Sequence, residues 1–496
     1  MNYTKGHNYS GSQVLAKDAI GEMLAQAWNS PRWLLSIASF VIIVSEFRWG
    51  VSGVALLAPI LLLRYLRITP TGRPLLWLFG ALFLAYTVAV AKIATGHIPI
   101  LMSPMFGLPI AIMHFGGYVF FHWVKAHRGY GLALLAFPVA GVVCQWLIGL
   151  TPASTWGVSA YLFIDNLPLA QSLSLVGMAG LNLLFLWFAA CAEAILSEGW
   201  NRSRFSQLTA LVFVYLFLNA WGNWRLDQPF EVEQAVAAGI KTDWHVSMGL
   251  LDEEGQQLLF NSLAEKTVKA AQSGAQIVVW AEVATMVRPE GEAELLRKLD
   301  ELATANKIHL VAGYAVLLEN NQYANKYQWL TPTGDGQNEY LKRHPVPGEP
   351  AIKGTSLPTP VATPLGLASG AICFDFDFPE EALSRARQGV DFVALPSSDW
   401  KGIDPIHTQM AAFRSIEGGF STLRTTNLGL TAGINPYGQM VARMDHYDHS
   451  DGIMLVRLPT EGVNTIYSQI GDLLVYLCMG MMLLCILRRP NSAKQH

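Results

Sequence analysis

The chain has 496 residues, 52% of them hydrophobic and only 14% charged, with a formal net charge of -3. This balance excludes an ordinary soluble domain, and the small net charge with no basic stripe excludes nucleic acid as a partner. Apolar residues crowd into positions 1–224 and the C-terminal end, so a membrane protein with a separate globular middle is expected.

In chain order, residues 1–30 are polar and read as a cytoplasmic N-terminal segment, with an amphipathic helix from Ser12 to Trp28 and no cleaved signal peptide. Apolar stretches follow over 33–47, 51–66, 75–95, 98–124, 130–150, 169–196 and 205–220. Most approach the ~20 residues a helix needs to cross a bilayer, and together they predict a transmembrane bundle of about seven helices over 31–224. Arg64, Arg67, Lys125, Arg128, Arg202 and Arg204 fall in alternate loops, whereas the loop 151–168 has neither Lys nor Arg. Basic loops mark the cytoplasmic side, so residues 225–468 lie on the other face, 469–487 form a returning transmembrane helix and 488–496 a cytoplasmic tail.

The middle alternates between two periodicities. Strands are expected at 244–250, 275–280, 309–316, 323–331, 365–372, 392–395, 422–426, 429–434 and 454–458, and helices at 256–272, 290–305, 379–388 and 406–418. This is an α/β layered domain. Of five cysteines, Cys144, Cys191, Cys478 and Cys485 lie in apolar spans, leaving Cys373 alone in the domain without a disulfide partner. It ends the apolar run LGLASGAIC, where a strand can present a thiol into a cleft. Glu282 in VVWAEVA and Lys342 in EYLKRHPVPGEP end comparable segments. A carboxylate can take a thiol's proton, and an ammonium can steady thiolate and oxyanion. Nothing has zinc-ligand spacing, and no metal or cofactor is expected.

The order Glu, Lys, Cys in an α/β domain flanked by spans resembles the nitrilase (carbon–nitrogen hydrolase) superfamily and, within it, the apolipoprotein N-acyltransferase family, as a divergent member. The segments VVWAEVA, YLKRHPVPGEP, AICFDFDFPE, HTQMAAFRSIE and LRTTNLGLTAGINPYG carry the resemblance. It implies a multi-pass α-helical membrane domain plus an α-β-β-α sandwich outside the cytoplasm. Glu282, Lys342 and Cys373 would be catalytic, with Glu349, Asp375 and Glu417 supporting them and Trp280 and Trp400 binding substrate. Asp375 stands where the family commonly has Glu. The implied reaction moves an acyl chain from a phospholipid, typically phosphatidylethanolamine, through a Cys373 thioester to the α-amino group of a lipoprotein's diacylglyceryl-cysteine. The implied location is the bacterial cytoplasmic (inner) membrane, among membrane lipids, with the catalytic domain on the periplasmic face. Two other readings of the residues stay open: a membrane-tethered amidase with water as acceptor, and a transport or assembly protein in which the outer domain only binds.

Overall fold

The computed structural model describes residues 26–69, 73–96, 98–229, 233–334, 337–448 and 451–488. Most of the expected amphipathic helix over 12–28 lies outside them. The apolar stretches form helices α1 (Pro31–Ser45), α2 (Leu57–Ile68), α3 (Pro74–Ala91), α4 (Ser103–Arg128) and α5 (Tyr130–Gly149). The span expected over 169–196 is broken. It opens with the short helices α6 (Leu167–Ala170) and α7 (Leu173–Val176), and only then comes α8 (Met178–Glu198). The break falls at Gly177, whose φ of 61° suits glycine and whose absent Cβ would meet the Tyr467 ring at 2.6 Å. Helix α9 (Arg202–Leu226) completes this part. Among the described residues five helices, counting α4 with its leading turn, are long and apolar enough to cross a membrane, while α1, at 15 residues, is shorter. Exposed Trp77, Phe213 and Phe217 show why: an apolar exterior of this kind is stable only in lipid.

The middle is a sandwich of two sheets. The first contains β1 (Gln234–Ile240), β2 (Ile277–Trp280), β3 (Thr285–Val287), β4 (His309–Leu317), β5 (Tyr323–Leu330), β6 (Gln337–Leu341) and β13 (Ile453–Pro459), in the order β13-β1-β2-β4-β5-β6 with β3 paired to β4. The second contains β7 (Val361–Thr363), β8 (Gly366–Gly370), β9 (Phe392–Ser398), β10 (Ser421–Asn427), β11 (Leu430–Ile434) and β12 (Met440–Asp445), in the order β12-β11-β10-β9-β8-β7. Their facing sides share a core that includes Ile277, Val279, Val311, Ala368, Phe392 and Leu423. Helices α10 (Glu253–Gln272) and α11 (Pro289–Asn306) cover the first sheet, and α12 (Pro379–Arg387) and α13 (Ile406–Gly418) the second. The result is the expected α-β-β-α sandwich. The first strand differs from expectation. It is the small-residue run QAVAAGI, not 244–250, because Ala and Gly fit between two neighbouring strands and a covering helix.

The chain returns through α14 (Ile466–Ile470) and the apolar α15 (Leu473–Leu487). The sandwich and the helices are not separate bodies, since Ile403, Phe413 and Ile416 belong to the helical core. Polar contacts fasten the same boundary: the Gln171 amide donates to the Tyr437 carbonyl (2.9 Å) and the Trp400 indole to the Ile93 carbonyl (2.7 Å). The basic side chains cluster at the opposite helix ends, where Arg67 and Arg204 pair with Glu198 and Arg128 donates to the Ile486 carbonyl (3.0 Å).

Gly313 in β4 lies against the turn that carries Glu282. A Cβ there would come within 2.3 Å of the Ala281 carbonyl oxygen and 3.2 Å of the Glu282 Cα. Gly313→Ala is expected to destabilise the protein by about 1–3 kcal/mol through forced backbone displacement, read as a lower thermal midpoint in detergent.

Candidate active site

Parallel strands open their carboxyl ends at one edge of each sheet, and those two edges meet. From the first sheet, β2 ends at Trp280 and the chain turns sharply, with Val283 at φ 47°, so that Glu282 faces inward while its amide bonds the Ser397 carbonyl of β9 (3.2 Å). Lys342 follows β6 and keeps its ladder, donating its amide to the Asn325 carbonyl (2.9 Å). From the second sheet, β8 leads through Ala371 and Ile372 to Cys373, which has φ 45°. A side-chain-bearing residue in this left-handed region is uncommon and marks a position held by its surroundings.

These three side chains line one cavity of about 360 Å³ together with Glu349, Asn325 and Trp400. The Lys342 Nζ lies 2.8 Å from Glu282 Oε1 and 2.9 Å from Glu349 Oε2. The Asn325 amide donates to both carboxylates, at 2.7 and 3.1 Å, and the Tyr323 hydroxyl donates to Glu349 at 3.0 Å. Burial works against the ammonium, but Glu282 and Glu349 hold its pKa well above the usual lysine range, and Lys342 in turn keeps the buried Glu349 ionised. The Cys373 thiol is pushed well up, first by burial and then by the Glu282 charge, with Lys342 and Arg424 opposing. It rests as a thiol, 3.5 Å from the Ser398 carbonyl oxygen to which it donates.

A second cavity of about 230 Å³ meets the first at Cys373, Ser398 and Trp400 and is almost wholly apolar, with walls from Val90, Phe106, Ile110 and Trp156 of the helical part. Behind the sulfur stands a cluster of buried charges. His407 bridges Asp399 (2.7 Å) and Asp377 (2.8 Å), and Arg424 grips both Asp399 oxygens at 2.8 and 3.0 Å. The Trp156 indole donates to Asp377 at 2.7 Å, tying this cluster to the helices. The sulfur, an Asp399 oxygen and a His407 nitrogen lie within 4.8 Å of one another. As both His407 nitrogens and both Asp399 oxygens are already engaged, a metal there would have to displace Arg424 or Asp377.

Of the residues singled out in the sequence, the structure brings Glu282, Lys342, Cys373, Glu349 and Trp400 together. Asp375 lies beneath the site and accepts from the Tyr340 hydroxyl (2.8 Å) and the Ile372, Arg343 and His344 amides at 3.0, 3.1 and 2.7 Å. It therefore braces the lysine loop against the cysteine turn. Trp280 is elsewhere. Fully buried under α10, it donates its indole N–H to Thr267 at 3.0 Å, because alternation along β2 sends Val279 toward the facing sheet and Trp280 toward the helices. Glu417 is also remote from Cys373, buried on α13 beside Arg414 at 2.8 Å, with burial pushing its pKa up to about 7. Asn325, Asp399, Asp377 and Trp156 carried no signal of their own. Asp399 had an indirect one, as it directly follows the end of a parallel strand, β9.

Two sheets with a cysteine, a lysine and two glutamates at their joined carboxyl edges define a carbon–nitrogen hydrolase domain, and that family matches residues 239–466. Over longer stretches the chain is similar to apolipoprotein N-acyltransferases from several bacteria. It is 24% identical to that of Coxiella burnetii over 454 residues (83% of this chain, 90% of the relative) and 24% identical to that of Gloeobacter violaceus over 500 (90% and 91%). To that of Vibrio vulnificus it is 26% identical over 387 residues (71% and 74%). Among solved structures, an amidase from Nesterenkonia sp. matches with a TM-score of 0.40 and 19% identity, covering 51% of this chain and 98% of its own. Residues 239–466 thus form a carbon–nitrogen hydrolase domain, the chain is similar along most of its length to apolipoprotein N-acyltransferases, and it is a membrane protein.

Burial alone would lower the pKa of His407, yet Asp377 and Asp399 raise it to about 9. A raised pKa means the imidazolium stabilises the fold fully below ~6.5, its unfolded value, and that this contribution fades as pH climbs through about 9. Thermal midpoints measured from pH 6 to 10 are expected to fall less steeply in His407→Gln than in the parent.

Proposed function

We propose that the chain is a membrane acyltransferase that moves a fatty acyl chain from a phospholipid to the α-amino group of the diacylglyceryl-cysteine at a lipoprotein N-terminus. The observation that carries this reading is the apolar cavity that runs from the helical part to the Cys373 sulfur. A soluble amide needs no such channel, whereas an acyl chain drawn from the bilayer does. In the first step Glu282 takes the Cys373 proton as the sulfur attacks an ester carbonyl, and the Lys342 ammonium faces the oxyanion that forms. Collapse breaks the ester C–O bond, and the proton on Glu282 passes to the departing glycerol oxygen, giving a lysophospholipid and a Cys373 thioester. In the second step the acceptor amine attacks the thioester carbonyl, Glu282 takes a proton from the nitrogen, and the C–S bond breaks as that proton returns to sulfur. Atoms and charge balance without a cofactor. Glu349 keeps Lys342 protonated and aimed, and Trp400 closes the wall between bilayer and cysteine.

We further propose that the sandwich faces the periplasm of a bacterial inner membrane. The clustering of Arg67, Arg128 and Arg204 at the helix ends remote from the sandwich supports this, because short basic loops stay cytoplasmic.

Incubating purified protein with phospholipid is expected to add one acyl mass to Cys373, removable by hydroxylamine, on intact-mass analysis. Cys373→Ala is expected to take up no mass and transfer no acyl chain while still inserting, and Glu282→Gln to slow transfer by ~10²–10⁴. Undiminished transfer by Cys373→Ala would overturn the reading, and hydrolysis of a small amide with Cys373 left unlabelled by phospholipid would favour the amidase.

A further inference from the structure

A cavity of about 630 Å³, larger than either of the two that meet at the sulfur, lies elsewhere. It lies on the other side of Phe374, which lines both this cavity and the apolar channel to Cys373, and it opens where the ends of α5, α8 and α15 meet the sandwich. Its lining is polarised. The deep part holds Glu417, Asn182 and Asp472, of which Glu417 and Asn182 are 1% and 3% exposed. The Asn182 Oδ1 has no hydrogen-bond partner among the described residues, while Glu417 is met by the Arg414 guanidinium at 2.8 Å and by the Met178 amide. Asp472 accepts from the Trp146 indole (2.8 Å) and the Tyr467 hydroxyl (2.9 Å). Two carboxylates against one guanidinium, with the Asn182 oxygen beside them, make this floor rich in acceptors.

The rim has the opposite character. Lys353 and Arg387 are exposed there, joined by Arg343 and His344 and opposed by one exposed carboxylate, Glu380; Arg387 spends its Nε on the Ser468 carbonyl oxygen (3.3 Å) with no carboxylate partner among the described residues. Val142, Trp146, Val475 and Tyr476 supply an apolar wall continuous with the lipid-facing helices.

We propose that this cavity is a second, non-catalytic lipid site for an aminophospholipid head group. Its primary ammonium donates to Glu417 and Asn182, its phosphodiester meets Lys353 and Arg387, and its chain lies along the wall of α5 and α15. An amphiphile with a cation at its tip and an anion behind it matches that order of floor, rim and wall, and an anionic lipid without the ammonium does not. The head group is shared by two sources, an intact membrane phospholipid and the lysophospholipid that the proposed first step releases.

The test uses the full chain carrying Cys373→Ala, delipidated in detergent and titrated with dioctanoyl phosphatidylethanolamine, its lyso form or dioctanoyl phosphatidylglycerol, with bound copies counted by native mass spectrometry. Two copies of the ethanolamine lipid are expected. Adding Glu417→Gln, or Lys353→Glu with Arg387→Glu, is expected to weaken one copy about tenfold and leave the other, and phosphatidylglycerol is expected to fill one site only. If the lyso form fills the second site as well as the diacyl form does, the product is its source. If only the diacyl form does, the source is the bilayer. Unchanged binding in the rim variant, or equal filling by phosphatidylglycerol, overturns the proposal. The rim residues are exposed, so that variant decides the matter even where Glu417→Gln lowers the thermal midpoint. Acyl transfer is not read here, so failure of this site and failure of the Cys373 mechanism are separately visible.

Discussion

A lysine ammonium buried in a protein is costly unless carboxylates meet it, and Lys342 is met by two. That constraint organises the domain. Glu282 comes from the end of β2, Asn325 from β5, Lys342 from the end of β6 and Glu349 from the loop beyond it, so one charge pins four segments of the first sheet. Two carboxylates against one ammonium leave an excess negative charge beside the sulfur. Burial and that charge together keep Cys373 protonated at rest. A thiol held this way is a weak nucleophile until a base takes its proton.

The second sheet supplies the sulfur and keeps it in place by different means. Cys373 occupies a strained backbone position, and Asp375, two residues on, gathers four donors from the cysteine turn, from β6 and from the loop after Lys342. Cys373 and Lys342 are thus braced through a shared carboxylate below the cavity as well as lining it together. On the far side, Asp399, His407, Arg424 and Asp377 form a buried cluster with two charges of each sign, and its last member is bonded to Trp156 of the helical part. The cluster beside the sulfur is thereby tied to the wall of the apolar channel.

The boundary between the two parts is built like the interior of a single domain. Ile403, Phe413 and Ile416 enter the helical core, and Gly402 lies where a Cβ would come within 2.0 Å of the Ile93 carbonyl oxygen. Close backbone approach of this kind leaves little freedom for the sandwich to rock on the helices, so access to Cys373 is set by side chains such as Trp400 and Phe106.

Hydropathy, loop charge and two-residue or helical alternation are local properties, so the apolar spans, most strands and all four covering helices could be read along the chain before any fold was known. The segments around Glu282, Lys342 and Cys373 were legible because each ends an element with a reactive side chain. Where the sequence misled, the cause was non-local. QAVAAGI looks too small for a strand until two neighbours and a helix crowd it, and the span over 169–196 breaks at Gly177 because Tyr467, far along the chain, takes the space. That Trp280 turns toward α10 while Glu282, two residues later, lines the cavity of the sulfur follows from β2 ending at Trp280, after which the chain enters a turn and the alternation lapses. The tertiary structure alone brought Asn325, Asp399 and Asp377 to the site and carried Glu417 away to another cavity. A polar side chain acquires its role from the groups that surround it, and those groups come from distant parts of the chain.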